Sequence, residues 1–498
     1  MSFDPTEKKG FLLAVRVLVL GLILSQAMAT LHVYLSNLDL FDKSSQIMAA
    51  GYVSVPNAKT VHLLEQFSPA FFGGIFFTLT IGSFLSLAAF SYAWIWCRFC
   101  LQKHGYLIPG LVLWVACLWL VNSHGIQMMA SAYFLVLPPG VFFATVHRME
   151  KNPQPIDPRH LAIHVVPLIL LAALGFHQVD KGLFIHFRDH VLLSNPVGIA
   201  INDFYYRYTL YPAETFKPFD QKLIRTCTFS RMAYGVYEQK LENILVRHDC
   251  LPVAGKRADV GLSARKNDLI LSFQGKEVVK ADRRSFLTDP SKTLKDYSRE
   301  TDAFGFFRAF TFFSLLIGLP ITIYILVHGC VHYGFSRLMS RYFASILASG
   351  FCLAAGIAIL VMLQGGRTGV EEKDVAGLLL SDDQVERTLA IRRVIELKQD
   401  IMAFPISEAH MESSFIPERY WLAAALGQSR NRKARDYLSR LAEDPQVNVR
   451  CKAFEALGKT KNKVFIPLIF DKLAKSGHVY EQLYAYKALR DLGWIQSK

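Results

Sequence analysis

Seven stretches of this 498-residue chain are almost continuously apolar: 11–35, 70–96, 106–121, 126–146, 161–177, 306–328 and 342–363. A helix needs about 20 apolar residues to cross a hydrocarbon core, and each stretch reaches or approaches that length. The third is the shortest, and it pairs with the fourth as a helical hairpin turned at Asn122-Ser123-His124-Gly125. Pro109, Pro138, Pro139, Pro167 and Pro320 fall inside these stretches, where neighbouring helices can satisfy the carbonyls that proline frees. The pattern predicts a mainly α protein built on a polytopic helical membrane bundle of about seven transmembrane helices. Its domains read as 1–178 (the first five helices), 179–305 (an extracytoplasmic α+β domain), 306–365 (helices six and seven) and 366–498 (helical repeats).

Charges in the short loops set the orientation. Lys8 and Lys9, then Arg98 and Lys103, then Arg148, Lys151 and Arg159, then Arg337 and Arg341 fall on one side if the helices alternate. That side is the cytoplasm. The expected location is the cell inner membrane of a bacterium, with a cytoplasmic N-terminus. Residues 179–305 and the C-terminal domain are then periplasmic, and a miscount of one helix would move the latter. The first stretch has a rival reading as a signal peptide cleaved at Ala27-Met28-Ala29. Within the stretches only Arg16 and Arg308 are charged; both lie near an end, where they can snorkel. Ser345, Ser349, Cys352 and Gly356 form a small-residue ladder suited to close helix packing.

Residues 179–305 mix helix and strand signals. An aromatic run, Phe204, Tyr205, Tyr206, Tyr208 and Tyr211, reads as a buried core or as a membrane-surface or ligand platform. Residues 238–247 read as helix. Residues 260–279 read as a hairpin, with Asp268 breaking two strands and Gly275-Lys276 turning into a third run. Cys227 and Cys250 are the two cysteines here. In an oxidising compartment they are expected to form a disulfide, closing a loop worth about 3 kcal/mol.

The C-terminal region repeats itself. Ala425-Leu426-Gly427 recurs as Ala456-Leu457-Gly458, and more loosely at Leu492-Gly493. In the clearest unit Asp444 is the expected N-cap, Pro445 fits the first turn, and Val449, Ala453, Ala456 and Leu457 make an apolar stripe. Gly458 is the expected left-handed cap. Ile466, Leu468, Ile469 and Leu473 turn a second helix inward. These residues, with Arg450 and Pro467, resemble HEAT-like repeats of the phycobilisome-lyase type over about 415–495. Asp382-Asp383 with Leu389-Ala390 opens a degenerate earlier unit. The resemblance implies a protein-interaction module without catalysis, although some relatives act on bilin chromophores. In such repeats the second helix tends to line the binding face, which nominates Lys433, Arg435, Arg440, Lys463 and Lys472 as partner-binding residues. So short an array could instead dock on the chain's own outer domain.

Composition agrees with a membrane protein: 52% hydrophobic, 19% charged and 13% aromatic, with mean hydropathy +0.25. The net charge of +14 is spread out. Residues 179–305 hold 20 Lys/Arg against 16 Asp/Glu, residues 366–498 hold 22 against 18, and the rest 13 against 7. Nothing is basic enough to suggest nucleic acid. Cys97 and Cys100 form a lone Cys-x-x-Cys, read as ordinary membrane thiols. His160 and His164, and His328 and His332, are i,i+4 pairs at helix ends. On facing helices they could hold a metal or haem; His186 and His190 form a further pair. No phosphate loop, nucleophile elbow or metalloprotease motif is present, and no cofactor is required. The expected function is a non-enzymatic membrane scaffold or accessory subunit that contacts lipid and binds other proteins. The alternatives are a transport component for a lipid or neutral solute, and a membrane redox or metal enzyme using the paired histidines.

Overall fold

The computed structural model describes residues 5–100, 102–149, 158–176, 182–209, 213–230, 236–255, 257–365 and 374–497. Tyr211 and the side chain of His160 lie outside the described residues. In chain order the apolar helices are α1 (Pro5–Ala49), α2 (Phe67–Arg98), α3 (His104–Val121), α4 (Met128–Arg148) and α5 (Pro158–Phe176). Two short helices follow, α6 (Leu183–Phe187) and α7 (Pro196–Tyr208). Then come β1 (Arg225–Ser230), α8 (Val236–Arg247), β2 (Cys250–Pro252), β3 (Val260–Arg265), β4 (Asp268–Phe273), β5 (Lys276–Asp282) and α9 (Pro290–Glu300). Two more apolar helices, α10 (Gly305–Phe335) and α11 (Arg341–Gly365), lead to the array. The array contains α12 (Gln384–Glu396), α13 (Ile416–Leu426), α14 (Arg432–Leu441), α15 (Val447–Lys459), α16 (Ile466–Lys475) and α17 (Val479–Asp491).

The chain forms two compact units. One comprises 1–36, 67–180 and 302–361, and the other 37–66, 181–301 and 362–498. The segment 37–66, which reads in sequence as a loop of the bundle, therefore belongs with 181–301 and 362–498. The reason lies in α1. The apolar stretch stops at residue 35, but no Gly or Pro follows before Gly51, and Asp39 pairs with Lys43 one turn on, at 2.8 Å. The helix runs 45 residues, about 68 Å at 1.5 Å per residue. Gly51, at φ +85°, stops it. Its N–H donates to Met48 O at 3.0 Å and that of Tyr52 to Ile47 O at 3.1 Å, the closure of a left-handed helix cap.

Among the described residues, six helices are long and apolar enough to cross a membrane: Leu13–Ala49, Phe67–Arg98, His104–Val121, Met128–Arg148, Gly305–Phe335 and Arg341–Leu363. The seventh stretch is a shorter apolar helix, Ala162–Phe176. Helices α2 and α10 each contain a π turn, at Thr78–Gly82 and Ser314–Gly318. Small residues let α1 and α2 touch: a Cβ on Gly74 would stand 2.9 Å from Thr30 N. The Gln26 side chain there donates to Phe71 O and accepts from Thr78 Oγ1, both at 2.8 Å. The small-residue ladder of α11 is buried at Ser345, Ser349 and Cys352. Tyr324 OH donates to Ser349 Oγ at 3.4 Å, and Gly356 lies against Leu171. The Arg308 guanidinium grips Asp302 through two bonds of 2.8 and 2.6 Å.

The second unit holds a five-stranded sheet in the order β2-β1-β3-β4-β5. Strands β1 and β2 are parallel across α8, and β1 also pairs parallel with β3. Strands β3, β4 and β5 form an antiparallel meander, not a single hairpin. Asp268 opens β4 rather than breaking a strand. The tight turns are Lys266-Asn267 and Gln274-Gly275, where Lys266, Gln274 and Gly275 have φ of +54°, +49° and +83°, as two-residue hairpin turns demand. Leu241, Leu262, Leu271, Phe286 and Tyr297 fill the core beneath the sheet.

The expected disulfide is not made. Cys227 and Cys250 are both buried, free thiols. The β1–β2 register sets Cys227 opposite Pro252 and Cys250 opposite Arg225, so the two are staggered by two residues. Cys227 Sγ donates to the carbonyl of Cys250 at 3.6 Å instead.

Candidate functional site

The array is assembled from a motif that recurs once per repeat. Asp400, Asn431 and Asn462 stand 31 residues apart, and each side chain caps the turn that follows. They accept from the N–H of Met402, Lys433 and Val464 at 3.0, 2.9 and 3.2 Å. Each uses an Asx oxygen to satisfy an amide that a helix start leaves unpaired.

A second motif is an arginine ladder on α12, α13 and α15. Arg387 donates to both Glu418 oxygens at 2.7 and 2.9 Å and to Ser381 O. Arg419 grips Asp444 at 2.6 and 3.1 Å and bonds Ser413 O. Arg450 pairs with Glu481 at 3.1 Å and donates to Asp444 O and Pro445 O. Glu418, Arg419 and Asp444 are buried. Asp444 is therefore a rung of this ladder and not the helix N-cap; Gln446 occupies that position.

The glycines of the repeat divide into two kinds. Gly427 and Gly458 are not left-handed caps. Gly427 sits in ordinary helical geometry, and a Cβ there would stand 2.8 Å from Ala456 Cβ. A Cβ on Gly458 would stand 3.0 Å from Ala488 Cα. They let successive first helices touch. Gly493 is the left-handed cap, at φ +82°.

One face of the array is covered by the chain itself. Trp421 Nε1 donates to Asp189 at 2.8 Å, and Arg188 stacks on Tyr420 at 3.8 Å. Asn202 and Asn448 exchange side-chain hydrogen bonds at 2.8 and 3.2 Å. Tyr206 packs edge-on against Tyr480 at 4.8 Å. Tyr486 OH and Arg490 Nε reach Asp249 at 2.6 and 2.9 Å. Burial pushes the Asp249 carboxyl up, against the pull of Tyr486 and Arg490. Segment 37–66 joins in: Asn57 N donates to Gln482 and Val53 N to Gln496, both at 2.9 Å. The array-side groups are mainly on α13, α15 and α17, the first helices.

The HEAT-repeat family matches residues 406–490. This array is a set of HEAT repeats. No curated protein and no solved structure matches the chain.

The second helices of the HEAT array carry four of the nominated cations, Lys433, Arg435 and Arg440 on α14 and Lys472 on α16; Lys463 lies in the 3-10 turn just before α16. Arg440 pairs with Glu408 at 2.7 Å and Glu412 at 3.6 Å. Lys472 pairs with Glu443 at 2.6 Å. These two brace neighbouring units. Lys433 and Lys463 are exposed and Arg435 is half-buried, with no ion pair among the described residues. Arg430 and Arg432, both exposed, extend the group. The repeat period places Arg432 and Lys463 at equivalent positions in successive units. Residues 427–475 hold twelve Lys/Arg against five Asp/Glu, a local imbalance that the domain total of 22 against 18 conceals.

The histidines are partly brought together. In the first unit the rings of His164 and His328 meet edge-on at 4.6 Å, and His328 stacks with His332 at 5.9 Å. Rings in direct edge contact leave no room for a porphyrin between them, and no grouping of three His, Cys, Asp or Glu able to hold a metal exists among the described residues. His186 and His190 stack at 6.1 Å. Cys97 and Cys100 are free.

Sequence reasoning missed a buried charge cluster in the second unit. Asp259 accepts from Lys222 at 2.8 Å, from Lys43 at 3.1 Å and from Thr226 N and Oγ1 at 3.0 Å each. Burial alone would raise its carboxyl. Lys222 and Lys43 outweigh that and hold it well below the usual carboxylate range. The cluster lines a cavity of about 60 Å³ with Thr215 and Tyr480, space for about two waters. Its partners come from two segments, Lys43 and Lys222 with Thr226, both far from Asp259 in sequence, which no local pattern links.

Proposed function

We propose that the chain is a seven-span membrane protein of the cell inner membrane. It acts as a non-enzymatic scaffold that holds a partner protein on the free face of its HEAT array, on the periplasmic side. One observation supports this above the rest: segments 37–66, 182–301 and 374–497 pack into a single unit. Loops can meet on one side of a bilayer only if an even number of crossings separates them. Three long apolar helices separate 37–66 from 182–301. Counting the shorter α5 makes four, and α10 with α11 adds two. Seven crossings satisfy the rule where six do not. The Lys and Arg of the short loops then fall together on the opposite, cytoplasmic side, in keeping with the charge rule.

The array's first-helix face is covered from within, which leaves the second-helix face for a partner. Arg430, Arg432, Lys433, Arg435 and Lys463 suit a surface rich in carboxylates. Such charges set association rate and specificity more than affinity. The test is purification in mild detergent with mass spectrometry of what accompanies the chain. A stable partner lost on Lys433→Glu/Arg435→Glu supports the reading. A chain that purifies alone, or whose partner is indifferent to the reversal, contradicts it.

A further inference from the structure

Helix α7 has two unlike faces. At about 3.6 residues per turn, Ile199, Asn202 and Tyr206 share the side that packs on the HEAT array. Val197, Ile201 and Tyr205 share the opposite side and are exposed, Val197 at 71% and Ile201 at 54%. Phe184, Ile185 and Phe187 of α6 are exposed as well. The second unit leaves eleven large apolar side chains exposed among its described residues, and six of them lie between 184 and 205. Scattered exposed apolar residues need no explanation, but a concentrated patch marks a surface that something covers.

Chain connectivity points to what covers this one. Six residues separate Phe176, the end of the apolar helix α5, from Leu183. Fully extended, that link spans about 25 Å at most, so α6 starts close to where α5 would leave the bilayer. The patch also includes Tyr205, and tyrosine is enriched at membrane–water boundaries. Amphipathic helices with one apolar face lie in that boundary. The polar residues Asp203 and Arg207 flank the apolar arc and are exposed.

We propose that α6 and α7 lie in the interfacial layer of the bilayer, with Phe184, Val197, Ile201 and Tyr205 turned to lipid. Their opposite face grips the HEAT array, so the pair seats the array at the membrane surface. This rests on the membrane reading of the apolar helices, and the test separates the two.

The photoreactive residue p-benzoylphenylalanine replaces Ile201 in the full chain. It replaces Val197 in a second variant and Asp203 in a third. Each variant is expressed in its membrane, irradiated and analysed by mass spectrometry. The expected result is a mass increase of one phospholipid at 201 and 197 and none at 203. A cross-link to protein at 201 and 197, whether a partner or a second copy, overturns the proposal. So does the absence of any adduct there, which signals water. Alkaline carbonate extraction of the same membranes reads the underlying premise. A chain that stays with the membrane but gives no lipid adduct refutes the interfacial helices alone, whereas a chain released by carbonate refutes both.

Discussion

Asn57 and Gln482 lie 425 positions apart and are hydrogen-bonded, the Asn57 N–H donating to Gln482 Oε1 at 2.9 Å. The Gln482 amide nitrogen donates to Ser476 O at 2.8 Å and lies 3.0 Å from Thr60 Oγ1. Gln482 is 0% exposed. One side chain thus ties the segment that follows the first apolar helix to the last helix of the HEAT array.

Gln482→Ala strands the Asn57 amide in a buried site. A buried group left unsatisfied costs about 1–3 kcal/mol, and the variant should lose about that much stability, seen as a lower melting temperature. A double-mutant cycle with Thr60→Ala should show coupling. Additive effects would mean that the two side chains do not interact in solution.

The arginine ladder predicts an asymmetry between buried and exposed pairs. Arg419→Met leaves Asp444 buried without its partner, at a cost of about 3–5 kcal/mol. Replacing both, as Arg419→Met/Asp444→Leu, should recover much of the loss. Arg440→Ala, which removes an exposed pair with Glu408, should cost about 1 kcal/mol or less. Urea unfolding of the three variants checks the order.

Gly427→Ala should destabilise the array although alanine is the better helix former by about 1 kcal/mol. The added methyl meets Ala456 at 2.8 Å. Gly377→Ala, where nothing lies within 4 Å, should be neutral or stabilising. Thermal melts of the pair decide whether close helix contact, and not a turn, requires the glycine at 427.

The repeat shows where sequence patterns are legible and where they fall short. The apolar runs marked all seven apolar helices, because lipid-scale hydrophobicity is a property of contiguous residues. The 31-residue recurrence marked the array for the same reason. Gly458 reads as a cap in sequence because a cap and a close approach both demand a missing Cβ, and only the position of Ala488 separates them. Asp444 reads as a cap in sequence because its partner Arg419 lies 25 residues away. Asp259 drew no notice, since Lys43 and Lys222 are distant and local context says nothing of them. The extension of α1 to Ala49 was hidden because hydropathy ends at residue 35 while helix geometry does not.

Acid should weaken the second unit through its histidines. Burial, with Arg450 and Arg207 nearby, lowers His478 to about 4 from an ordinary 6.5. Burial lowers His190 and His248 too. The unfolded chain binds these protons first, so the stability their neutral forms support is complete above pH 6.5 and is lost as pH falls towards about 4. Asp249, raised by burial, works in the opposite sense. Melting temperature measured from pH 7.5 to 5 should fall, and His478→Gln should flatten the slope.

The central claim is that three segments separated by apolar helices share one side of a membrane. Single cysteines at Ala58, Lys276, Lys475 and Leu338, in a background without Cys100, Cys117 and Cys330, can be labelled in sealed inverted vesicles and intact spheroplasts with a membrane-impermeant maleimide. The account predicts that positions 58, 276 and 475 label from the outer face and 338 from the cytoplasmic face. Labelling of 58 and 276 from opposite faces would contradict it.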